Sequence, residues 1–561
     1  MITKVNRRLE HEYLESEILV IGGGLGGAMA AIAAARQGRS VIVVEKAHVD
    51  RSGAAGTGND HFGGVIIPGQ SEWGVEDLVE DHVAMAFGFA HRDLIRNMAA
   101  DSFSRVKDLE AMGVEFRKDA DGKYHLIPQQ HRVRSALYYV GRDIKPKLAQ
   151  EMRRQRVKIL NRTMITSLLI HQGRVTGAIG FNIRTGVLRL FRGGAVVIAT
   201  GGTTRMFPNP TGYFFNTYYP PSCTGDGLAL VLRAGGELAN LEGVNRVRGP
   251  KNLERGGSGT YWPAKAVDAR RRPLGFNFPG EAYYRWPAAT ARWTSENIKK
   301  GEIHLPIFRD TTVLSTEQLE HIEWGLRNEG GCNVLLWYMK ERGLNFKEYL
   351  MEDDTYEPRI SSGTGIFTNG ECETSIPGLY AIGEAVAGVP WGAGSAALIL
   401  GWRAGKNASR YIEEKGEPRS LAPDHIEAEK ATLMAPLSEE NGLPWIEVNR
   451  AIQQVMASYM GDLRTENGLK IGLLRLGEVK DEGKISVTRG EFRGLMRAHE
   501  TYNLLEIAQG MLLAARERRC SSSYHLHFRA DYPEVDPPEW HKWLIVKKEN
   551  GILRTELRPI D

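Results

Sequence analysis

Two short apolar runs, at residues 18–21 and 41–44, flank an Ala-rich stretch near the N-terminus. Continuous apolar runs of this length are typical of buried strands, and the small residues between them predict a closely packed helix. Gly22, Gly24 and Gly27 connect the first run to the Ala-rich stretch with the spacing G-x-G-x-x-G. The pattern therefore predicts one βαβ unit with a glycine turn after its first strand.

The glycine turn has the spacing of a dinucleotide-binding motif. The first two glycines let the backbone turn and approach a pyrophosphate, and the third lets helix and strand pack closely. The anion would lie at the helix N-terminus, and a carboxylate ending the second strand can accept hydrogen bonds from ribose hydroxyls. The unit therefore predicts a dinucleotide cofactor held by Gly22, Gly24, Leu25, Gly26, Gly27, Glu45 and Lys46.

A small, polar segment follows the second strand at residues 50–61. Ligands of doubly wound sheets bind in the crevice beyond the carboxyl ends of the strands. We therefore interpret this segment as a loop around a pyrophosphate and an isoalloxazine edge, with a ligand-free surface loop as the alternative. Its predicted cofactor contacts are Arg51, Ser52, Gly53, Gly58 and Asn59.

Glycine also ends or begins four later apolar elements. A buried run at residues 195–198 leads into A-T-G-G, where glycine permits close approach to a ligand. T-G-D-G begins a helix at residue 224, residues 376–384 form a turn and a strand with a polar end, and a small-residue helix begins near residue 393. These segments contribute the remaining predicted cofactor contacts, namely Ala199, Thr200, Gly201, Gly202, Asp226, Gly383, Glu384, Gly394 and Ser395.

The remaining pattern divides the chain into parts of different character. Residues 76–113 have apolar positions at helical spacings, whereas residues 157–198 alternate as strands and hairpins. Residues 244–355 are rich in Arg, Trp and Tyr and have little long periodicity, which indicates an inserted domain. Residues 500–518 form one apolar helical stripe, and the Pro-rich end from Tyr532 predicts a strand pair in a tail or docking arm.

Composition excludes several classes of protein. The formal charge of +4 is too small to argue for a nucleic-acid partner. The four cysteines are far apart and form no C-x-x-C pair, so neither a zinc site nor an iron-sulfur cluster is predicted in this chain. The N-terminus lacks the apolar core of a signal peptide, and no apolar run is long enough to span a membrane. We expect a cytoplasmic protein without a transmembrane segment.

Five motifs together resemble the fumarate reductase and succinate dehydrogenase flavoprotein superfamily. They are G-x-G-x-x-G, Arg51-Ser52-Gly53, A-T-G-G at 199–202, T-G-D-G-x-x-L-x-x-x-A-G at 224–235 and P-G-L-Y-A-x-G-E at 377–384. The resemblance covers nearly the whole chain and implies an α/β fold: a Rossmann-like FAD-binding domain, an inserted α+β capping domain and a C-terminal helical domain. The implied bounds are 1–243 with 356–420 for FAD binding, 244–355 for the cap, 421–535 for the helical domain and 536–561 for the tail.

Departures from the superfamily change what the resemblance implies. Covalent members attach FAD through a His after the loop Ser, and this position resembles Gly53 here, which implies noncovalent FAD. The H-P-T substrate motif expected after Leu241-Glu242 is replaced by a segment with Arg246 and Arg248. Local motifs are more similar to the adenylylsulfate reductase alpha subunit, in which an aromatic pair precedes T-G-x-G and an Arg follows the helix exit. Tyr218-Tyr219 and Arg248 match those positions, whereas Arg142 and Trp391 replace an acidic residue and a His.

The chemistry implied is flavin redox catalysis on a small anion. Planar guanidinium groups bind carboxylate, phosphate or sulfur oxyanions in a bidentate way and can stabilise charge that develops beside the flavin. The predicted catalytic residues are Arg248 and Arg246 for the substrate, Tyr218 for stacking and His61 near the flavin. For each Arg, an interdomain or solvated ion pair is the alternative interpretation, and His61 also has a purely structural alternative.

Two other functional classes stay open from the sequence. The chain could relay electrons between partners without a substrate, or it could be an FAD enzyme with no net redox chemistry. The only dinucleotide fingerprint is assigned to FAD, so a nicotinamide site has no support, and electrons are expected to pass through another protein. The resemblance implies a ferredoxin-like iron-sulfur subunit, and a higher oligomer is compatible with it.

Overall fold

The computed structural model describes residues 11–560 apart from 129–133, 210, 252–262, 275–296, 330–332, 349, 362, 391–392 and 417–422. The strands described are β1 (His11–Ile21), β2 (Val41–Glu45), β3 (His61–Phe62), β4 (Leu126–Pro128), β5 (Arg134–Tyr138), β6 (Lys158–Asn161), β7 (Thr163–His171), β8 (Arg174–Asn182), β9 (Leu188–Ile198), β10 (Leu238–Ala239), β11 (Val244–Pro250), β12 (Lys265–Val267), β13 (Ile307–Asp310), β14 (Met351–Ile360), β15 (Gly365–Ile366), β16 (Leu379–Ala381), β17 (Lys542–Glu549) and β18 (Ile552–Pro559).

The helices described are α1 (Leu25–Arg36), α2 (Val75–Met85), α3 (Arg92–Ala111), α4 (Ile144–Arg154), α5 (Asp226–Arg233), α6 (Thr316–Asn328), α7 (Asn333–Arg342), α8 (Ala393–Lys415), α9 (Pro423–Ser438), α10 (Trp445–Tyr459), α11 (Glu466–Glu482) and α12 (Phe492–Glu517). A short 3-10 helix at Gly383–Ala385 follows β16. The predicted βαβ unit, the two helices within 76–113, the strands of 157–198 and the final strand pair are all confirmed.

A seven-stranded sheet organises the nucleotide-binding part of the molecule. Its order is β6-β2-β1-β9-β8-β7, with β16 paired to the C-terminal end of β9. Strands β6, β2, β1, β9 and β16 are parallel, so their carboxyl ends meet at one edge. This edge brings together the predicted cofactor segments that follow β1, β2, β9 and β16, although they are separated by hundreds of residues in the chain.

Helices α1 and α8 lie against each other because small residues line their contact. A Cβ on Gly401 would lie 2.3 Å from the carbonyl oxygen of Gly26, and one on Gly405 would lie 2.2 Å from that of Ala30. No side chain could be accommodated at either position without moving backbone. The close crossing sets the N-terminal turns of two helices side by side at the carboxyl edge of the sheet.

The inserted domain is built on a second sheet, with the order β11-β14-β13-β12. The chain enters this sheet on β11 and leaves it on β14, and these two strands are antiparallel neighbours. A small apolar core beneath the sheet contains Ile322, Leu326 and Leu335 of α6 and α7. Because β14 ends at Ile360, the cap sheet continues five residues beyond the boundary predicted at residue 355.

The C-terminal hairpin packs into the fold and does not extend from it as a tail, while the predicted docking role stays a prediction. Strand β17 pairs with β10, and Ile545 and Val546 are fully buried. The hairpin β17–β18 is therefore an integral part of the fold, because its apolar face completes a four-stranded sheet with β10 and β15. Helices α9 to α12 precede it, as the predicted helical domain requires.

Candidate active site

The glycine turn after β1 is possible only without side chains. Gly22 has φ +102°, and a Cβ there would lie 2.4 Å from the carbonyl oxygen of Ala199. A Cβ on Gly27 would lie 1.9 Å from the carbonyl oxygen of Gly22. At Gly24, in contrast, no atom of the described residues lies within 4 Å of an added Cβ, so this position faces open space. The turn therefore packs closely on one side and leaves room for a ligand on the other.

The N-terminus of α1 fits a pyrophosphate. Gly24 occupies the N-cap position, and no side chain caps the first turn. Backbone N–H groups in the first turn of a helix lack intrahelical acceptors, and they carry the positive end of the helix dipole. The uncapped turn, together with the open space at Gly24, is the feature expected where an anionic cofactor supplies the missing acceptors.

Glu45 is buried at the end of β2 and holds the glycine turn. Its Oε2 accepts a hydrogen bond from the Gly23 N–H at 2.8 Å, and its Oε1 accepts one from the Ala47 N–H at 2.6 Å. Lys145 of α4 donates to the Gly23 carbonyl from the other side, and burial lowers the pKa of this lysine to about 8. No motif of the sequence singled out Lys145, since it belongs to a helix about 120 residues away from the turn.

The loop after β2 reaches the N-terminus of α8. Asn59 accepts a hydrogen bond from the Tyr139 hydroxyl at 2.6 Å, and its Oδ1 lies 3.1 Å from where a Cβ on Gly394 would be. Gly53 and Gly58 both have positive φ values. The structure thus brings the 51–59 loop and the 394–395 segment together, as the prediction of a shared ligand requires. The Arg51 guanidinium extends outward, where it donates to the Arg142 carbonyl at 2.9 Å.

Lys46 and Asp226, both predicted to contact the cofactor, bond to each other. The Lys46 ammonium lies 2.6 Å from Asp226 Oδ2 and 2.8 Å from Glu500 Oε1 of α12. Burial alone would lower the pKa of Lys46, but the Asp226 and Glu500 carboxylates outweigh it and raise that pKa. Arg205 adds a second buried ion pair to Glu500, at 2.9 Å. The two side chains therefore join the nucleotide-binding part to the helical domain, and the cofactor contacts predicted for both residues stay predictions.

The A-T-G-G turn packs against the segment that follows β16. A Cβ on Gly202 would lie 3.0 Å from the Tyr219 ring and 3.3 Å from Glu384 Cγ. The Tyr219 hydroxyl donates to Glu384 Oε1 at 2.6 Å. Thr200 accepts a hydrogen bond from the Gly227 N–H at 3.1 Å, which fixes the turn to the start of α5. Three predicted segments, at 199–202, 224–227 and 383–384, thus form one wall of the site.

Arg359 of β14 is a central residue of this wall that the sequence reasoning missed. Its Nη1 lies 2.9 Å from Glu384 Oε1 and also donates to the Tyr219 hydroxyl. Its guanidinium carbon lies 4.7 Å from the ring centroids of both Tyr218 and Tyr219, within the range of cation–π attraction. Burial would lower the pKa of Arg359, but the Tyr219 and Glu384 side chains raise it, so the cation is retained. A strand of the cap therefore places a charge at the predicted flavin turn.

Arg246 and Arg248 lie on β11, the neighbour of β14. Their backbones pair with Pro358 and Thr355, and the register shifts between them. The structure describes only the backbone at residues 246–250, so the predicted substrate contacts of both guanidinium groups stay predictions. Lys251, three residues beyond Arg248, forms a half-exposed ion pair with Glu352 at 2.6 Å.

His61 is held by its neighbour Asp60 at the contact between base and cap. Asp60 Oδ1 lies 2.5 Å from His61 Nδ1, and the carboxylate is 1% exposed. Burial would raise the pKa of Asp60, but the adjacent imidazole lowers it. Trp324 of α6 donates to the Asp60 carbonyl at 3.0 Å. Sequence reasoning identified His61 but missed Asp60, although the two are adjacent in the chain.

Among the described residues, no group of three His, Cys, Asp or Glu side chains could hold a metal ion. No described helix is both long enough and apolar enough to cross a membrane.

Comparisons with known proteins agree with this geometry. The family model described as FAD binding domain matches residues 17–260, and the model described as fumarate reductase flavoprotein C-term matches residues 449–561. One chain of the fumarate reductase (CoM/CoB) of Methanothermobacter marburgensis is 25% identical, covering 96% of this chain and 98% of that protein. L-aspartate oxidase of Mycobacterium leprae is also 25% identical, covering 96% of this chain and 97% of its own.

The solved structures extend the likeness to the fold. Adenylylsulfate reductase from Archaeoglobus fulgidus superimposes with a TM-score of 0.88 at 23% identity, over 99% of this chain and 98% of that one. The predicted fold class, the FAD cofactor and the family resemblance are confirmed by these findings and by the two matched models. The chain contains an FAD binding domain and a fumarate reductase flavoprotein C-terminal domain, is similar over nearly its whole length to fumarate reductase and succinate dehydrogenase flavoproteins, and is an FAD-dependent oxidoreductase.

Proposed function

We propose that this chain is the flavoprotein subunit of an oxidoreductase that acts on a small anion held between the flavin and the cap. Electrons would be exchanged with an iron-sulfur partner, in chemistry like that of adenylylsulfate reductase or fumarate reductase. The proposal includes noncovalent FAD and the cytoplasmic location predicted from the sequence. The observation that carries it is the cap strand β14, which places the Arg359 cation against Tyr219 and Glu384 at the flavin turn.

The cap supplies positive charge to the site through two paired strands. Arg359 is neutralised by Glu384, whereas Arg246 and Arg248 lie on β11 directly beside β14. We infer that these two arginines bind the substrate anion, because bidentate guanidinium groups suit carboxylates and sulfur oxyanions. Bound flavin supplies hydride or single-electron chemistry at its N5 edge. The chain's own task is to orient the anion there and to exclude water when the cap is closed.

Tyr218 and His61 have supporting roles in the proposal. Tyr218 packs at 4.9 Å from the Tyr219 ring and beside Arg359, so it is placed to stack against a substrate or the flavin. Asp60 fixes His61 through Nδ1, which favours one orientation of the imidazole. We assign His61 to proton transfer at the cap side of the site.

The cysteines of this chain do not suit an iron-sulfur cluster of its own, which supports a separate iron-sulfur partner. The four cysteines are far apart, and Cys223, Cys372 and Cys520 are free thiols. Burial raises the pKa of Cys372 above its ordinary value, which makes it a poor ligand or nucleophile. The proposed flavoprotein therefore passes electrons to a separate cluster-bearing protein.

The test uses flavin colour under anaerobic conditions. Small carboxylates and sulfur oxyanions are screened for those that bleach the oxidised holoprotein or reoxidise the dithionite-reduced one. With an active compound in hand, Arg248→Ala should slow that step about 10²- to 10³-fold, the loss typical of one charge-stabilising donor. The FAD content should be unchanged, because Arg248 belongs to the cap strand and not to the cofactor segments.

Arg327→Ala is the matched control. Arg327 is an exposed cap arginine that pairs only with Glu323 of its own helix, at 3.3 Å, among the contacts described. Its variant should retain the wild-type rate. Equal rates for Arg248→Ala and Arg327→Ala would overturn the catalytic assignment of Arg248, and a protein that no anion bleaches or reoxidises would overturn the substrate site.

A further inference from the structure

Lys145 of α4 lies buried behind the glycine turn. The residue is 1% exposed, and its ammonium donates to the Gly23 carbonyl. The Ser52 hydroxyl lies 3.4 Å from the same carbonyl oxygen. On the other side of the residue, the Gly23 N–H donates to Glu45 Oε2 at 2.8 Å. Side chains from three separate segments therefore hold both polar backbone groups of Gly23.

The Gly23 carbonyl shares its peptide group with the N–H of Gly24. In a trans peptide the C=O and the N–H point in opposite directions. Because Lys145 holds the carbonyl on the protein side of the turn, the Gly24 N–H points away from that side. No residue that the structure describes accepts a hydrogen bond from this N–H, and no described atom lies within 4 Å of a Cβ added to Gly24. The lysine thus fixes the orientation of a donor at the start of α1.

The charges around Lys145 leave it as a cation near neutral pH. Burial lowers the pKa of Lys145 to about 8, against the raising effect of the Glu45 and Asp50 carboxylates at the end of β2 and in the loop after it. Helix α1, which packs on α4, has Arg36 as its one charged residue, and that guanidinium is paired with Glu151 at 3.0 Å. A cation one hydrogen bond away from the glycine turn adds to the positive end of the α1 dipole.

We propose that Lys145 is a positioning residue for the pyrophosphate of FAD. Its ammonium holds the Gly23 carbonyl back, so that the Gly24 N–H is aimed at the anion at the first turn of α1, and its buried charge strengthens the attraction for that anion. Lys145 acts through the turn that it supports and not by contact with the cofactor. The proposal concerns the cofactor alone and is independent of the substrate proposed above.

Protonation of Lys145 links its charge to the affinity for FAD. A pyrophosphate near the ammonium favours the charged form, so the pKa of Lys145 is higher in the complex than without FAD. The contribution to affinity is therefore fully present below about pH 8 and is lost as the pH rises through the pKa of the complex. The holoprotein is dialysed to equilibrium against graded FAD at pH 7 and pH 9.5, and bound and free flavin give Kd. The wild-type Kd should rise about five- to tenfold over this interval.

Two substitutions separate the charge from the shape of the side chain. Lys145→Arg keeps a cation that does not titrate in this interval. Lys145→Met keeps an unbranched side chain of similar length but removes both the charge and the donor. At pH 7 the Kd of Lys145→Met should exceed that of the wild type about tenfold or more, the loss typical of a hydrogen bond to a charged group. Neither variant should show the five- to tenfold rise between pH 7 and pH 9.5.

Lys147→Met is the matched control from the same helix. Lys147 is part-buried and donates to the Gly113 carbonyl just after α3, away from the glycine turn. Its variant should have the wild-type Kd at both pH values, including the rise. Any titration of FAD itself is common to all four proteins and appears in the two Lys145 variants alone.

Thermal midpoints show whether the variants fold. If Lys145→Met does not fold, the wild type and Lys145→Arg still decide the question, since only the wild type can lose the charge. Parallel pH profiles for these two proteins would overturn the proposal, because a side chain that merely fills space gives that result. A wild-type Kd for Lys145→Met at pH 7 would overturn it as well.

Discussion

By the resemblance, Gly53 matches the loop position of the histidine in covalent members of the superfamily, and its backbone conformation disfavours a side chain there. It has φ +80°, in the left-handed region that favours glycine, and an added Cβ would lie 3.4 Å from Gly24 Cα. A side chain at this position would have to be held in a strained backbone conformation beside the glycine turn. The residue therefore supports a cofactor that is bound without a covalent bond.

We expect acid precipitation of the FAD-loaded protein to release all the yellow colour into the supernatant. Gly53 has no atom that could form a bond to the flavin, and the pyrophosphate contacts are broken on unfolding. The measurement is the flavin absorbance of supernatant and redissolved pellet. Colour that stays with the protein would show that another residue is attached to the flavin.

How far single residues could be predicted depended on whether their partners are close in sequence. Gly22, Gly24 and Gly27 were identified because the spacing of the turn itself requires glycine. Arg359 and Glu500 were missed because their roles arise from residues 25 and about 450 positions away, such as Glu384 and Lys46. An isolated Arg or Glu has no local signal that distinguishes a buried ion pair from a solvated side chain.

At the scale of elements, the crossing of α1 and α8 controls the geometry of the cofactor site. Gly401 and Gly405 allow the helices to approach until a Cβ would lie within 2.2–2.3 Å of the opposing carbonyl oxygens. The small-residue character of both helices was evident in the sequence. Their mutual contact was not, since almost 370 residues separate the two segments.

Gly401→Ala should destabilise the protein by about 1–3 kcal/mol, as expected when atoms are forced into a well-packed contact. It should also weaken FAD binding, because the N-terminal turns of both helices move. Gly477→Ala in α11 is the control, since no atom lies within 4 Å of its added Cβ among the described residues. That variant should gain about 0.5–1 kcal/mol from higher helix propensity. Urea unfolding measures the free energy of unfolding of both variants. Equal changes in that free energy for Gly401→Ala and Gly477→Ala would show that α1 and α8 can separate freely.

Helix α12 carries a buried histidine that makes stability depend on pH. His499 donates from Nε2 to the Leu433 carbonyl at 2.8 Å, and burial lowers its pKa to about 4. The unfolded chain protonates this histidine near pH 6.5, whereas the folded one resists until about pH 4. Its contribution is therefore fully present above pH 6.5 and is lost as the pH falls from 6.5 towards 4.

We expect His499→Gln to flatten this dependence. Between pH 6.5 and pH 5 the wild type should lose about 1.5 kcal/mol through His499, and the glutamine variant should not, because Gln can donate to Leu433 without titrating. His525 and His527, whose pKa values are also lowered by burial, will add a parallel loss in both proteins. Urea unfolding at the two pH values gives the difference, and parallel curves would contradict the assignment.

At the scale of the whole molecule, the fold class followed from the sequence because its motifs recur in a fixed order. The inserted domain was recognised from its change in composition, but its sheet was not, since β11 and β14 are about 100 residues apart. The hairpin β17–β18 was predicted as strands, yet its place in the fold was not. A strand's own pattern does not reveal its partner when the partner, β10, is only two residues long.

The assembled molecule should accept electrons poorly from nicotinamides. NADH or NADPH should reduce the flavin of the isolated holoprotein slowly, because the only dinucleotide fingerprint is that of the glycine turn. An artificial one-electron dye, or a small iron-sulfur protein, should support much faster exchange. Anaerobic stopped-flow absorbance compares the donors at equal concentration, and rapid stoichiometric reduction by NADH would indicate a self-sufficient reductase.

The connection of the cap to the base has a mechanical consequence. Both crossings run through β11 and β14, which stay hydrogen-bonded from the pair Val244–Ile360 to the pair Pro250–Asp353. The two chain crossings between base and cap therefore lie side by side, and we expect any opening of the cap to turn about this strand pair. Arg359 belongs to this strand pair, whereas the hydrogen bond from Trp324 of α6 to the Asp60 carbonyl lies elsewhere in the contact between cap and base and would break on such a turn. We expect the ion pair between Arg359 and Glu384 to persist during such an opening, because Arg359 lies on the strand pair itself.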